Sequence, residues 1–208
     1  MEGVTTMKKD LIKRLYSYSM FDGHLAFFGN SVNAALVVNM LEENQDYIEQ
    51  VIKSVEEIPL SYQLTKPKIY TKDGFNRKQQ LRLQTKNHPV FTKIRERIYI
   101  NTHKTFDPHM AAMFDEEMLA IAFMADGSCY LDKRWENAKP SFRLHLNSWT
   151  YGDLMLFKKC CKDSFELEIN TRKKGNRYDL AVPTNYSKLF VEIVEPYILP
   201  SFQYKLEQ

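Results

Sequence analysis

Two nine-residue stretches, half a chain apart, constrain this sequence more than any other feature. Leu119-Ala120-Ile121-Ala122-Phe123-Met124-Ala125-Asp126-Gly127 is apolar for seven residues and then sets one carboxylate against a glycine. An apolar helix that ends in an acid is unusual, because a buried carboxylate is costly unless its charge is compensated. Leu15-Tyr16-Ser17-Tyr18-Ser19-Met20-Phe21-Asp22-Gly23 has the same length, the same first residue and the same Asp-Gly end. Asp22 and Asp126 are separated by half of the 208 residues. The chain therefore reads as two related halves, 1–105 and 106–208, each contributing one helix and one acid.

The pattern around these stretches repeats helix, two strands, helix, two strands, helix, an α+β arrangement. Residues 1–10 read as a polar arm. In the first half a helix is expected over 11–21, and a hairpin over 25–40 turns at Gly29-Asn30-Ser31. A helix over 42–57 repeats Tyr47, Ile48, Val51, Ile52 and Val55 at helical spacing until Pro59. Strands are expected at 68–72 and 79–85 around Asp73-Gly74, then a helix over 89–99 and a link over 102–112. The second half predicts a helix over 115–126 and strands at 128–131 and 141–146. A helix started by Thr150 runs to 162, strands follow at 165–170 and 177–182, and a helix at 185–197 closes the half.

Phe142-Arg143-Leu144-His145-Leu146-Asn147 alternates apolar and polar residues, as does Gln80-Leu81-Arg82-Leu83-Gln84. Alternation puts the apolar set on one sheet face and Gln80, Arg82, Gln84, Arg143 and His145 on the other. Those side chains suit base edges, Arg with guanine and Gln with adenine. The net charge of +3 does not by itself suggest nucleic acid. The placing of charge does, with Lys72, Arg77 and Lys78 beside one strand and Arg172, Lys173, Lys174 and Arg177 beside the other. The repeated pattern is read as occupying matching places in both halves. Glu166 and Glu168, on the expected strand 165–170, oppose this, and that strand is assigned to an edge away from phosphate.

Both nonapeptides resemble the LAGLIDADG motif of the homing endonucleases, and the likeness continues through Leu81–Pro89, Leu146–Trp149 and Pro196–Leu206. The chain is similar to the single-chain, two-repeat branch of that family. The resemblance implies two pseudo-symmetric repeats packed through their LAGLIDADG helices into a DNA-binding saddle. Ala120, Ala122 and Ala125 would face Ser17 and Ser19, with Tyr16 and Tyr18 turned into their own half. The acids, Asp22 and Asp126, would hold divalent metal with the carbonyls of Phe21 and Ala125. Mg²⁺, with Mn²⁺ as a substitute, prefers few carboxylates plus waters and substrate phosphates, which one acid per helix satisfies. A lysine after the last helix of each half matches Lys104 and Lys205. A polar residue at the end of the second strand matches Asn147, and its first-half counterpart falls on Met40, with Asn39 as a substitute.

The implied function is a site-specific, metal-dependent endonuclease that cuts double-stranded DNA as a monomer. The rivals are an RNA maturase acting on its intron and a binder of the same fold that has lost cleavage. The resemblance places the protein inside the cell, in a mitochondrion or chloroplast or in a microbial or phage-infected cytoplasm. No signal peptide or membrane span is expected. Cys129, Cys160 and Cys161 read as reduced thiols, without zinc spacing. No His-Asn-His motif, no Ser/His/Asp order and no intein splicing signal is visible.

Overall fold

The computed structural model describes residues 9–58, 60–67, 78–131, 140–175 and 177–207. The chain divides into two compact units, Met1–Arg97 and Ile98–Gln208. The segment through Lys104, which the sequence reading gave to the first half, folds with the second unit. The polar arm, Pro59, the strand expected at 68–72, its Asp73-Gly74 turn, Lys72, Arg77 and Asn176 lie wholly or largely outside the described residues.

In unit 1, α1 (Lys9–Met20) turns at Phe21-Asp22 into β1 (Gly23–Phe27), and β2 (Ala34–Leu41) returns antiparallel to it. Gly29 makes the turn at φ 61°, a left-handed conformation that glycine adopts without strain. Then come α2 (Gln45–Glu56), β3 (Tyr62–Thr65), β4 (Gln80–Thr85) and α3 (Pro89–Ile98). The four strands form an antiparallel sheet in the order β1-β2-β4-β3. Leu36, Val38, Leu81 and Leu83 point from the sheet into the core, where Tyr47, Ile48 and Val51 of α2 cover them. Each such side chain stabilises the fold by roughly 1.5–3 kcal/mol on full burial.

Unit 2 opens with a short hairpin, β5 (Tyr99–Ile100) and β6 (His103–Lys104), then α4 (Pro108–Ala111). In α5 (Glu116–Asp126) the Asp115 carboxylate accepts from the Met118 amide at 3.0 Å, a side-chain N-cap. There follow β7 (Gly127–Tyr130), β8 (Ser141–Leu144), α6 (Tyr151–Phe165), β9 (Asn170–Lys174), β10 (Arg177–Val182) and α7 (Ser187–Val194), with a 3-10 segment over Pro200–Lys205. The sheet order, β7-β8-β10-β9, repeats that of unit 1 strand for strand. Phe123, Phe142 and Phe190 cluster at centroid distances of 4.9–5.7 Å in its core.

One expected strand is absent. Residues 165–169 are the end of α6 and its cap. Glu166 adopts φ 55°, and the Leu167 amide reaches back to the Cys161 carbonyl at 3.2 Å. The Glu166 amide also bonds the Lys162 carbonyl at 2.9 Å, a five-to-one αL cap with Glu where Gly is usual. Leu167 and Ile169 are buried by this turn rather than by strand alternation. The two acids therefore never face a sheet surface, and Glu168 pairs with Lys162 at 2.6 Å. The edge strand begins later, at Asn170.

Candidate functional site

Asp126 is the last residue of α5, and Gly127 is already the first of β7. No loop intervenes, so the chain turns within one residue. A Cβ on Gly127 would lie 2.3 Å from the Phe123 carbonyl oxygen and closer still to its ring. The glycine of the motif is thus required by the approach of strand to helix. Three groups hold this corner. The His145 amide donates to the Asp126 carbonyl at 2.9 Å, and the Gly127 amide donates to that of Phe123. Lys205 Nζ donates to the Met124 carbonyl at 2.6 Å and to that of Phe123 at 3.4 Å. A cation on the last helical carbonyls is favourable toward the helix dipole. Ala125 presents the remaining carbonyl of the last turn.

Burial pushes the Asp126 carboxyl above the ordinary carboxylate value, and Lys205, Lys104 and His145 pull it down, in that order of strength. Both sequence-predicted lysines therefore contribute positive charge at Asp126. Lys104 follows α3 and Lys205 follows α7, as the sequence pattern expects, and the β5–β6 hairpin that carries Lys104 groups with unit 2. Asp153 anchors Lys104's neighbours. Its carboxylate accepts from Thr105 Oγ1 at 2.6 Å, from the Phe106 amide at 3.0 Å and from Thr150.

The donors fit a divalent metal. A half-buried carboxylate and a helix-end carbonyl are hard oxygen ligands of the kind Mg²⁺ takes. Among the described residues no cluster of three or more acids, histidines or cysteines could enclose an ion by itself.

Asp22 lies in the turn after α1 rather than on its last residue, half-buried beside buried Phe21. Gly23 is crowded by the Tyr18 carbonyl, 2.7 Å from an added Cβ. Ser17 donates back to the Lys13 carbonyl at 2.9 Å, and Tyr18 packs edge-on against Tyr47 of its own unit. The expected inward turn of Tyr18 is observed.

Register fixes which polar side chains share a sheet face. In unit 1, Gln80, Arg82 and Gln84 alternate with buried Leu81 and Leu83; Asn39 stands opposite Arg82 and Gln63 opposite Gln84. Arg82 also donates to Gln84 at 3.4 Å. In unit 2, Arg143, His145, Arg172, Lys174, Arg177 and Asp179 share one face by the same pairing. Lys173 pairs with Tyr178 and so falls on the opposite, helix-side face. Tyr178 there meets Tyr151 of α6. Arg143 stacks 4.7 Å above the Tyr130 ring. Lys78 is held by Glu43 at 2.9 Å.

Two sequence readings need correction. Arg82 and Arg143 do not occupy matching places, because Arg82 is on β4, whose counterpart is β10, and Arg143 is on β8, whose counterpart is β2. The pairs Gly23–Val38 and Gly127–Leu144 align the repeats. On that alignment Asn147 matches Leu41, not Met40. Met40 matches Leu146, and both are buried toward the core. Asn39 matches His145. Asn147 itself sits in the turn after β8, its amide donating to the His145 carbonyl at 2.8 Å.

Sequence reasoning also missed a contiguous chain of Ser128, His145 and Asp179. Ser128 Oγ lies 2.8 Å from His145 Nε2, and His145 Nδ1 lies 3.2 Å from Asp179 Oδ2. The residues come from β7, the end of β8 and β10. Only strand register brings them together, and aligning the two hairpins would have revealed it.

The sequence pattern of the LAGLIDADG DNA endonuclease family matches residues 21–190. A protein of Wickerhamomyces canadensis described as "Probable intron-encoded endonuclease 1" is 26% identical over 167 residues, 79% of this chain and 70% of that protein. Among solved structures, the homing endonuclease I-WcaI bound to its DNA recognition sequence aligns with a TM-score of 0.79 at 23% identity. The alignment covers 97% of this chain and 88% of that one. A variant of I-DmoI, in complex with its target DNA in the presence of Mn, aligns with a TM-score of 0.56 at 13% identity, covering 89% and 93%. At these identities the structural likeness is one of fold. Among the described residues, no helix is long and apolar enough to cross a membrane.

Proposed function

The chain belongs to the LAGLIDADG DNA endonuclease family, and from that premise we propose that it is a site-specific homing endonuclease that cuts both strands of a duplex as a monomer, using Mg²⁺ or Mn²⁺. The observation that carries this reading is the end of α5. There a carboxylate is kept above its ordinary pKa by burial while two lysines and a histidine face it. A structural acid at that depth would be neutralised by a hydrogen-bonded ion pair. This one is left responsive to further positive charge, which metal supplies.

Asp22 and Asp126, with the carbonyls of Phe21 and Ala125, would hold the ions. Bound metal would supply an activated water and neutralise the leaving oxygen. This chain's own residues do the rest. Lys205 closes the last turn of α5 and adds positive charge at Asp126. Lys104, set by the Asp153 anchor one residue on, adds positive charge at the same acid, where charge grows on a reacting phosphate. Gln80, Arg82 and Gln84 in one unit, and Arg143 in the other, present base-reading groups, whereas both ring nitrogens of His145 are engaged by Ser128 and Asp179. Lys174 and Arg177 present cations to the backbone.

The test is incubation with a randomised duplex library and Mg²⁺, followed by sequencing of the cut ends. A single long consensus with a fixed cut position is expected. Tight binding without cutting in either metal would leave a cleavage-deficient binder. Preference for intron RNA over any duplex would support a maturase.

A further inference from the structure

Ser128, His145 and Asp179 form a hydrogen-bonded chain on the face that carries Arg143, Lys174 and Arg177, beside the corner that holds Asp126. Asp179 is 6% exposed, and its Oδ1 is buried with no hydrogen-bond partner. A buried carboxylate is costly on any sheet surface, and more so on one meant to face a polyanion. Its charge is met by His145 at 3.2 Å and, more distantly, by Lys174 at 4.0 Å. His145 is about one-third exposed at the side chain, and Ser128 is half-buried. The buried end of the chain is therefore the acid, and the open end is the serine.

We propose that Asp179 and His145 lock the Ser128 hydroxyl as a hydrogen-bond acceptor, and that Ser128 thereby reads an exocyclic amino group, of cytosine or adenine, at one position of the target. This rests on the nuclease reading above and deepens it. A carboxylate only accepts, so Nδ1 carries the imidazole proton and donates it to Asp179. In the neutral ring Nε2 is then the acceptor, and the proton between it and Ser128 Oγ belongs to the serine. With its one hydrogen committed inward, Oγ can offer only lone pairs outward. A free serine reads donor and acceptor edges alike, whereas this one is restricted to donors. In the major groove the donors are cytosine N4 and adenine N6; guanine and thymine present acceptors there. Asp179 touches no base and acts as a positioning residue.

The experiment sequences cut and bound ends of the randomised library for the full-length protein and two variants. The wild type is expected to favour cytosine or adenine by about fivefold or more at one position contacted by the second unit. Ser128→Ala removes the reader without disturbing the buried pair, and should erase that preference while every other position keeps its own. Asp179→Asn can donate to Nδ1 and so reverse the ring. Nε2 then donates to Ser128, the serine proton is freed, and guanine and thymine become acceptable at that same position. Thermal unfolding of each variant shows whether it is folded, and Ser128→Ala alone decides the matter if Asp179→Asn is not. An unchanged preference in folded Ser128→Ala, or in folded Asp179→Asn, overturns the inference and leaves the nuclease reading standing. Failure of the wild type to bind or cut any duplex overturns both.

Discussion

The two units share a strand order but end their motif helices differently. In unit 2 the acid is the last helical residue and the next residue is already strand. In unit 1 a two-residue turn, Phe21-Asp22, stands between α1 and β1. The second helix is apolar on every side, and Met118 through Met124 are all buried. The first buries Lys13, Ser17 and Ser19 among its aromatic residues. Both predicted lysines belong to unit 2 and lower the Asp126 pKa against its burial. Matching topology therefore does not imply matching chemistry, and the two acids should behave as different groups.

The largest expected effect is loss of cutting. Asp126→Asn and Asp22→Asn should each lower double-strand cleavage by about a thousandfold or more while target binding, followed by gel shift, is retained. The two should differ in stability. Burial holds the Asp126 carboxyl above its unfolded value, so between those two values the native state binds more protons than the unfolded chain. Metal-free stability from this group is thus greatest below the window and falls as pH rises through it. Asp126→Asn should raise Tm at neutral pH and flatten that dependence. A thermal melt series across acid to neutral pH checks the sign, and a lower Tm for the variant would contradict the burial argument.

Next in size are the glycines. Gly127→Ala meets the Phe123 carbonyl at 2.3 Å, whereas Gly23→Ala meets that of Tyr18 at 2.7 Å. Chemical denaturation should show Gly127→Ala the more destabilised, by about 3 kcal/mol against about 1–2 kcal/mol. Equal losses would mean that the looser turn of unit 1 has no slack to give.

The lysines sharpen the contrast further. Lys205→Met loses two carbonyl contacts at the end of α5 and should cost about 1–2 kcal/mol of stability. Lys104→Met should cost less. Both should slow the same strand on strand-labelled duplex, and a supercoiled target should pass through a nicked form before becoming linear. Opposite strands slowed by the two variants would show that Lys104 serves the other acid.

The smallest effect concerns phosphate contacts. Lys174→Gln should lower the salt slope of DNA affinity by about one, near 0.9 per lost phosphate contact, and Lys173→Gln should leave it unchanged. Equal changes in both would mean that the edge strand is read from both faces.

These contrasts also mark what could be read in the chain. Periodicity locates α2, because burial on one face leaves a direct trace in the residue order, while α1 and α5 are marked by the repeated nonapeptide and the first hairpin by its Gly29-Asn30-Ser31 turn. The cap after α6 reads as a strand because Leu167 and Ile169 alternate with acids, a pattern that a left-handed helix cap produces equally well. Asp126 was legible as an acid closing an apolar run. Asp179 was not, since nothing local distinguishes it from a solvated strand residue. Its role depends on pairing β10 with β8, and register is a property of two strands at once. Lys104 was legible as a cation but not as a neighbour of Asp126, because that depends on which unit the β5–β6 hairpin joins.

The passage of α5 into β7 without a linker makes the acid and the first sheet strand one stiff piece of backbone. A loop would absorb a strain applied to the sheet; a single crowded glycine transmits it. A badly fitting duplex that tilts β7 would drag the Asp126 carboxylate off its mark by a comparable amount. Fidelity of the cut would then be enforced mechanically, with misfit at the reading surface felt directly as misalignment at the acid.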